Sequence, residues 1–307
     1  MGNDSANAPC RPARSADFEG NLMTNLYERE DAYIPRVAAI HDLCGYGKCS
    51  LGVAIPVLSA AGCDVCPVPT GLFSSHTAFP GWYMHDTTDM LADYLAAWKN
   101  IGVKIDAVYS GFLGAPEQVE RIRDLYALYP AALRVVDPVM ADHGKVYPTY
   151  TPELVEAMGT LANGADILTP NLTEAAIILG RGWQGADVDE PTVREMILEL
   201  RERGAKNVVL KGIEHGDGLI HNYVWGDAID FTETTNAKLP YMLHGTGDVF
   251  ASTLLAAVMA GRDLAEATAF AADFTADAML ISAKQPNFED RGVSFEPLLG
   301  KVTALLG

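Results

Sequence analysis

The chain has 307 residues, of which 49% are hydrophobic and 20% are charged, and its formal net charge is −18. This length and apolar content suit one large α/β domain with a sizeable core, or two small ones. The negative charge excludes broad contact with nucleic acid or anionic membranes, so an anionic ligand needs a local site of backbone amides, a lysine or a metal ion.

The N-terminal segment is polar and lacks the apolar stretch of a signal peptide. We predict that residues 1–33 form a disordered extension and that residues 34–307 form one domain. No run reaches the roughly 18 consecutive apolar residues of a membrane-spanning helix. The five cysteines are an odd number, which favours reduced thiols and a cytoplasmic location.

From residue 35 onward, strand-like and helix-like patterns alternate along the chain. Strands are predicted at 36–41, 64–70, 106–111, 133–138, 166–170 and 207–212. Helices are predicted between them at 50–62, 87–102, 116–129, 151–163, 172–180 and 190–204. This alternation is typical of a parallel sheet that helices cover on both faces.

The pattern changes after residue 212. Residues 219–235 alternate around Gly226-Asp227, which predicts a hairpin and therefore an antiparallel edge of the sheet. A glycine-rich turn then opens a long apolar helix within 244–261, and a second buried helix is predicted at 264–283.

The stretch HDLCGYGKCSLG, residues 41–52, resembles a phosphate-binding loop because Gly47 and Lys48 stand together. A Walker A loop needs a glycine where this chain has Asp42 and a hydroxyl where it has Cys49, so we reject that reading. What remains is a turn at the carboxyl end of the first strand, where open α/β sheets bind ligands.

A better anion site is the stretch HGTGD at residues 244–248. Gly245, Thr246 and Gly247 begin a helix, so their backbone N–H groups and the positive end of the helix dipole can hold a phosphate. Asp248 beside such a site could remove a proton from an attacking hydroxyl. The alternative is an ordinary capped helix start.

HGTGDVFAS, DPVMADHGKVY (137–147) and TPNLTEA (169–175) together resemble motifs of the ribokinase superfamily. The chain is similar over residues 35–306 to the vitamin B6 kinases, and also to hydroxymethylpyrimidine kinases. The resemblance implies a three-layer α/β/α sandwich whose central sheet is mostly parallel with a small antiparallel edge. It also implies a homodimer.

The resemblance implies a role for each motif. Gly245, Thr246 and Gly247 would stabilise the transferred phosphoryl group, and Asp248 would be the catalytic base. The residues expected at the nucleotide are Asp137, Thr169, Asn171, Lys211 and Thr246. Asp142 and Glu174 would hold Mg²⁺, and a monovalent cation such as K⁺ would lie near Asp137.

The substrate end is implied by other segments. FSSHTAF (73–79) and YSGFLG (109–114) resemble segments that hold a pyridine ring. The residues expected at the acceptor are His41, Asp42, His76, Thr77, Phe112 and Asp248.

These motifs imply ATP-dependent phosphorylation of the 5'-hydroxymethyl group of pyridoxal, pyridoxamine or pyridoxine. The first alternative is a hydroxymethylpyrimidine (phosphate) kinase. A B6-binding carrier without activity and a sugar kinase are weaker alternatives, because the motifs are intact and residues 70–86 are short for a sugar-kinase lid. No membrane or nucleic-acid partner is expected.

Overall fold

A mixed β-sheet forms the centre of the structure, a computed structural model that describes residues 25–183 and 185–307. The strands of this sheet are β1 Arg36–Cys44, β2 Asp64–Phe73, β3 Met84–Asp86, β4 Ala107–Ser110, β5 Leu133–Val136, β8 Ile167–Leu168, β9 Asn207–Ile213, β10 Leu219–Gly226 and β11 Ile229–Ala237. Two further strands, β6 Ala141–Asp142 and β7 Lys145–Val146, pair with each other in a separate small sheet. The nine strands of the large sheet run in the order β11-β10-β9-β8-β5-β4-β1-β2-β3.

The middle of this sheet is parallel, from β2 through β1, β4, β5 and β8 to β9. β10 and β11 are antiparallel and form one edge, and β3 is antiparallel to β2 at the other. The predicted fold class, a mostly parallel sheet with a small antiparallel edge, is confirmed.

Ten α-helices flank the sheet in the described part of the chain. They are α1 Leu51–Ala60, α2 Thr88–Ile101, α3 Pro116–Leu128, α4 Pro152–Thr160, α5 Leu172–Leu179, α6 Glu190–Glu202, α7 Thr246–Met259, α8 Leu264–Ser282, α9 Phe288–Arg291 and α10 Leu299–Thr303. Each long helix overlaps a predicted one. The short elements β3, β6, β7, α9 and α10 were not predicted, because they are too short to show a hydrophobic period.

Two hydrophobic cores lie on opposite faces of the sheet. In β1, Val37 and Ala39 belong to the core under α1, α7 and α8, whereas Ala38 and Ile40 belong to the core under α2 to α6. Side chains of a strand alternate between faces, so a strand buried on both faces reads as a continuous apolar run. That is why RVAAI carries no polar alternation.

Residues 1–33 were predicted to be a disordered extension. Residues 1–24 of this segment lie outside the described residues. Residues 25–33 contact the folded body, which differs from the prediction. Leu26 and Tyr27 pack against the core under α1, and the Arg29 guanidinium donates to the carbonyls of Ala61 and Gly62 at 2.7 and 3.0 Å. The assignment of residues 34–307 to one domain stays a prediction.

None of the helices in the described ranges combines the length and the hydrophobicity that a membrane span requires.

Candidate active site

A pocket of about 540 Å³ opens where the parallel strands end and α7 begins. Asp42 and Phe73 come from the ends of β1 and β2, Phe112 follows β4, and Asp137 follows β5. Most of the predicted site residues line this pocket, namely Asp42, His76, Thr77, Phe112, Asp137, Asp142, Asn171, Glu174, Lys211, Gly245, Thr246, Gly247 and Asp248. The structure therefore brings residues from seven separate segments into one cavity.

A second cavity, of about 630 Å³, lies between α3, α4 and α5. Its two arginines already have partners: Arg203 donates to the last carbonyls of α5 at Ile178 and Leu179, and Arg123 pairs with Glu120. The first pocket is the better candidate because it gathers acids, a lysine and a glycine-rich helix start.

The phosphate end of the pocket is the start of α7. Gly245 has a φ of +87°, and a Cβ there would overlap the backbone oxygen of Lys48, so only glycine fits this close approach. The first amides of a helix lack intrahelical acceptors and carry the positive end of its dipole. Thr246 and Gly247 line the pocket at this point, so the arrangement suits an anion.

Asp248 lies in the first turn of α7, directly after Gly247. Burial, together with the carboxylates of Asp137 and Asp42, raises the pKa of Asp248 to about 7. A carboxylate with such a pKa is a competent proton acceptor near neutral pH.

Lys211 and Asp137 form a buried ion pair at the pocket wall. The Lys211 Nζ lies 2.5 Å from Asp137 Oδ1, and the Thr169 hydroxyl donates to the same oxygen at 3.0 Å. Burial alone would lower the pKa of Lys211, but the carboxylates of Asp137 and Glu174 raise it above its ordinary value, so the lysine stays charged.

Thr169 differs from its predicted place. It is fully buried and is absent from the pocket lining, so it supports Asp137 and does not face a ligand in the pocket. The TPN motif marked the right strand end, but Thr169, directly after β8, is held against Asp137, while Asn171 at the N-cap of α5 lies at the pocket.

Asn171 and Glu174 form a capping box at the start of α5. Asn171 Oδ1 accepts a hydrogen bond from the backbone N–H of Glu174 at 2.9 Å, and Glu174 Oε2 accepts one from the backbone N–H of Asn171 at 2.8 Å. The side-chain Nδ2 of Asn171 also donates to the Ala141 carbonyl oxygen at 2.8 Å, which ties α5 to the segment that carries Asp142. The box fixes Glu174 at the pocket, and the bond to Ala141 holds the neighbouring Asp142 beside it.

The acids of this region suit a hard divalent cation. Asp137 Oδ2 is buried and has no hydrogen-bond partner among residues 25–183 and 185–307. Burial raises the pKa of Glu174, which a nearby cation would reverse. Carboxylate oxygens are the ligands that Mg²⁺ prefers, so Asp142 and Glu174 fit it.

The other end of the pocket is aromatic. The Phe112 ring packs edge-on against Phe73, with ring centroids 5.5 Å apart, and against Tyr150 at 5.6 Å. His76 stacks on His244, with centroids 4.4 Å apart, and burial lowers the pKa of His244 to about 4. These uncharged rings suit a flat aromatic ligand.

Asp42 is the acid at the aromatic end. The Ser50 hydroxyl donates to Asp42 Oδ1 at 2.5 Å, while burial raises the pKa of this carboxyl to about 6. Sequence reasoning missed Ser50 and Cys49, which also line the pocket. The signal was the position of Ser50 at the N-cap of α1, directly after the turn that faces the ligand side of the sheet.

His41 is a correction to the predicted substrate contacts. Its side chain is fully buried and is absent from the pocket lining. The ring packs edge-on against Tyr109 with centroids 4.4 Å apart, and a side chain at Gly111 would overlap it. β1 continues to Cys44, so alternation points Asp42 toward the pocket and His41 into the core.

The buried His41 predicts a pH dependence of stability. Its ring nitrogens have no hydrogen-bond partner among the described residues, and burial lowers its pKa to about 3. In the unfolded chain the His41 imidazole binds a proton with a pKa near 6.5, whereas in the folded chain it stays neutral down to a pKa of about 3. The free energy of unfolding therefore decreases as pH falls below 6.5. This site alone should cost about 2 kcal/mol between pH 7 and pH 5.

Urea unfolding of wild type and His41→Leu at pH 7 and pH 5 measures this contribution. The variant should show the smaller loss of unfolding free energy, and His85→Gln, at an exposed histidine, should behave like wild type. Equal losses in wild type and His41→Leu would contradict the assignment.

Lys48 does not take part in the pocket. Its ammonium group pairs with the Glu296 carboxylate and lies 5.8 Å from the centre of the Phe295 ring. This placement agrees with the rejection of a phosphate-binding loop at residues 41–52, since the turn contributes Asp42, Cys49 and Ser50 to the pocket but not its lysine.

The antiparallel edge supplies pocket residues that the motifs do not reveal. Ile220 and Asn222 of β10 and Asn236 of β11 line the pocket beyond Lys211. Their only sequence signal is the alternation of the predicted hairpin.

The fold and the site define a ribokinase-like protein. The mostly parallel nine-stranded sheet with its flanking helices is the fold of that class. A family model described as phosphomethylpyrimidine kinase matches residues 56–291, and the chain belongs to this family, which also includes pyridoxal kinase relatives.

Relatives of known name fall into two groups. The chain is 33% identical over 186 residues to a hydroxymethylpyrimidine/phosphomethylpyrimidine kinase of Haemophilus influenzae, a match that covers 59% of this chain and 66% of that protein. It is 28% identical over 257 residues to pyridoxal kinase PdxY of Pseudomonas syringae pv. tomato, covering 78% and 85% of the two chains.

Solved structures show the same division. A Bacteroides thetaiotaomicron protein, provisionally assigned as a phosphomethylpyrimidine kinase and crystallised with pyridoxal, has a TM-score of 0.84 and 32% identity, covering 88% of this chain and 96% of that one. Pyridoxal kinase from Lactobacillus plantarum has a TM-score of 0.82 and 28% identity, with 89% and 98% covered.

Proposed function

We propose that this kinase transfers the γ-phosphoryl group of ATP to the 5'-hydroxymethyl group of pyridoxal, pyridoxamine or pyridoxine. The observation that carries the proposal is the pocket itself. One end of it has the anion-binding start of α7 beside Asp248, and the other end has the aromatic wall around Phe112. The pyridoxal kinase relatives and the pyridoxal-bound Bacteroides protein support the same ring chemistry.

Asp248 would act as the base. With its pKa near 7, its carboxylate can accept the hydroxymethyl proton as the alcohol oxygen approaches phosphorus. The amides of Gly245, Thr246 and Gly247 would hold the charge of the transferred group, which is the main contribution a protein makes to phosphoryl transfer.

Lys211 and Asn171 would contact the nucleotide. Lys211 keeps its charge beside Asp137, so it offers a fixed cation for the phosphates. Asn171 is held in place by the capping box, which leaves its position at the pocket defined before a ligand arrives. Thr169 would act through Asp137.

Asp142 and Glu174 would hold Mg²⁺, with Asp137 close by and near a monovalent ion such as K⁺. Mg²⁺ would neutralise part of the phosphate charge when bound. The chain's own part is to present carboxylates on separate segments, β6 and α5, that the Asn171 bond to Ala141 draws together.

Asp42, His76 and Thr77 would hold the polar substituents of the ring, with Phe112 against its face or edge. Burial keeps Asp42 near half protonation around pH 6, so it can bond either a ring nitrogen or a hydroxyl. A cytoplasmic location and a homodimer also stay predictions. The expected location rests on the odd number of cysteines, and among the described residues Cys44, Cys49, Cys63 and Cys66 form no disulfide.

A second candidate is phosphorylation of a hydroxymethylpyrimidine, which the family model and the Haemophilus relative favour. Both acceptors are flat heteroaromatic rings with a primary alcohol, so the anion site serves either. The ring end must decide between them.

Turnover of four alcohols with ATP and Mg²⁺ tests the proposal. We expect ADP release with pyridoxal, pyridoxamine or pyridoxine at a kcat/KM at least tenfold above that with hydroxymethylpyrimidine. Turnover of the pyrimidine alone would overturn the B6 assignment and keep the kinase. Binding of pyridoxal without ADP release from any alcohol would indicate a carrier.

A further inference from the structure

A cluster of histidines and acids lies at the antiparallel edge, on the face of β10 opposite the pocket. His221 stands between Ile220 and Asn222, which line the pocket, so strand alternation turns His221 the other way. One ligand atom from each of His215, His221 and Glu233 lies within 4.8 Å of the other two. The proposed function uses none of these three residues.

His221 lies between two carboxylates. Its Nδ1 is 2.5 Å from Glu233 Oε1, and its Nε2 is 3.1 Å from Asp217 Oδ2. Ionised carboxylates only accept hydrogen bonds, and a neutral imidazole has one N–H to donate. One of the two contacts therefore lacks a proton unless a further positive charge is supplied.

His215 has the same shortage. Its Nδ1 is 2.5 Å from the Val188 carbonyl oxygen, which requires an N–H, and its Nε2 is 2.7 Å from the Tyr223 hydroxyl. That hydroxyl donates its single proton to Glu233 Oε1 at 2.8 Å. No proton is then left between His215 Nε2 and the Tyr223 oxygen, so two lone pairs face each other there.

The proton balance defines what the cluster needs. Five contacts each require a proton, but two neutral imidazoles and one phenol supply three. Protonation of His221 alone would satisfy its two carboxylate contacts but would leave His215 Nε2 and the Tyr223 oxygen without a proton, so two further positive charges are needed. Two imidazolium rings with centroids 4.4 Å apart would repel each other, whereas one divalent cation supplies both charges at a single point.

We propose that His215 Nε2, His221 Nδ1 and a Glu233 carboxylate oxygen bind one divalent transition-metal ion of the Zn²⁺ class. In that arrangement each ring keeps one N–H, which His215 donates to the Val188 carbonyl and His221 donates to Asp217. Outer acceptors of this kind orient the histidines of metal sites and fix their tautomers.

The donor set selects the ion. Two imidazole nitrogens and one carboxylate suit Zn²⁺ and its neighbours, while Mg²⁺ and Ca²⁺ prefer oxygen alone. The ion can enter from solvent, because the Glu233 and Asp217 side chains are 38% and 43% exposed. A water molecule would complete the coordination.

Titration of the chelator-treated full chain with Co²⁺, followed by displacement with Zn²⁺, tests this site. Millimolar Mg²⁺ and no nucleotide are present, so that the pocket acids do not compete. We expect one equivalent of Co²⁺ with visible d–d absorption, displaced by one equivalent of Zn²⁺. Absence of micromolar Co²⁺ and Zn²⁺ binding by the wild-type chain would overturn the proposal.

Variants assign the ligands. His221→Gln and Glu233→Gln should each weaken Zn²⁺ binding by more than 100-fold, and Asp217→Asn, which alters only an outer partner, by about 10- to 100-fold. His85→Gln and Asp142→Asn should bind Zn²⁺ like wild type. The Glu233 side chain is exposed, so Glu233→Gln should fold even if a histidine variant does not. Wild-type Zn²⁺ affinity in Glu233→Gln would also overturn the proposal.

Discussion

Asp248→Asn should lower kcat by about 10²- to 10⁴-fold, which is the usual contribution of a positioned base. The amide has nearly the shape of the carboxyl group but cannot accept the proton of the acceptor alcohol. Binding of pyridoxal, measured by calorimetry, should change far less, because Phe112, Thr77 and the other residues proposed to contact the ring remain. Steady-state ADP release measures kcat.

A matched control lies in another helix. Asp89 is an exposed acid in the first turn of α2, as Asp248 is in the first turn of α7. Asp89→Asn should keep the wild-type kcat. Wild-type turnover by Asp248→Asn would remove this residue as the base and leave transfer to the alcohol without an assigned proton acceptor.

The raised pKa of Asp248 also predicts how activity depends on pH. The base works as the carboxylate, so activity is present above its pKa and is lost as pH falls through it. kcat/KM for the alcohol should decline about tenfold per pH unit below about pH 7. A profile that stays level down to pH 5 would show that Asp248 does not carry the reaction.

Gly245→Ala should lower kcat by about 10²- to 10³-fold, the loss seen when one donor to a developing anion is displaced. The added Cβ would overlap the Lys48 backbone oxygen, and the φ of +87° is strained for alanine. The turn must shift, and the first amides of α7 shift with it. Steady-state kinetics and a crystal structure of the variant would measure both effects.

Gly52→Ala is the matched control for this substitution. Gly52 lies in the first turn of α1, also close to the pocket, and a Cβ there meets no atom within 4 Å. Its kcat should stay at the wild-type value, and alanine should stabilise the helix slightly. Equal kcat values for Gly245→Ala and wild type would mean that the start of α7 does not hold the phosphoryl group.

Much of the fold was predictable because the sheet is parallel and buried. The apolar run at β1, the glycine at the end of α2 and the Asn171–Glu174 capping box each leave a local signal in the sequence. The pair β6 and β7 leaves none, since two residues per strand show no period.

The site was predictable by segment and less so by side chain. The resemblance placed the correct strand ends, yet Thr169 and His41 face the core while Asn171 and Asp42 face the pocket. For the adjacent strand residues His41 and Asp42, which of the two faces a ligand depends on strand register, and register depends on partners far away in the chain. The hairpin residue Asn222 became visible as a pocket residue only in three dimensions.

The placement of both proposed substrate ends in one pocket has a consequence for inhibition. Phe112 at the proposed ring end and Lys211 at the proposed nucleotide end line the same cavity, so an aromatic alcohol analogue and a nucleoside could be joined through a short phosphate chain without leaving it. Once one half of such a compound docks, the other half is confined at a millimolar effective concentration. A bisubstrate compound of this design should therefore bind far more tightly than either fragment, and the optimal number of linking phosphates would measure the gap that the phosphoryl group crosses.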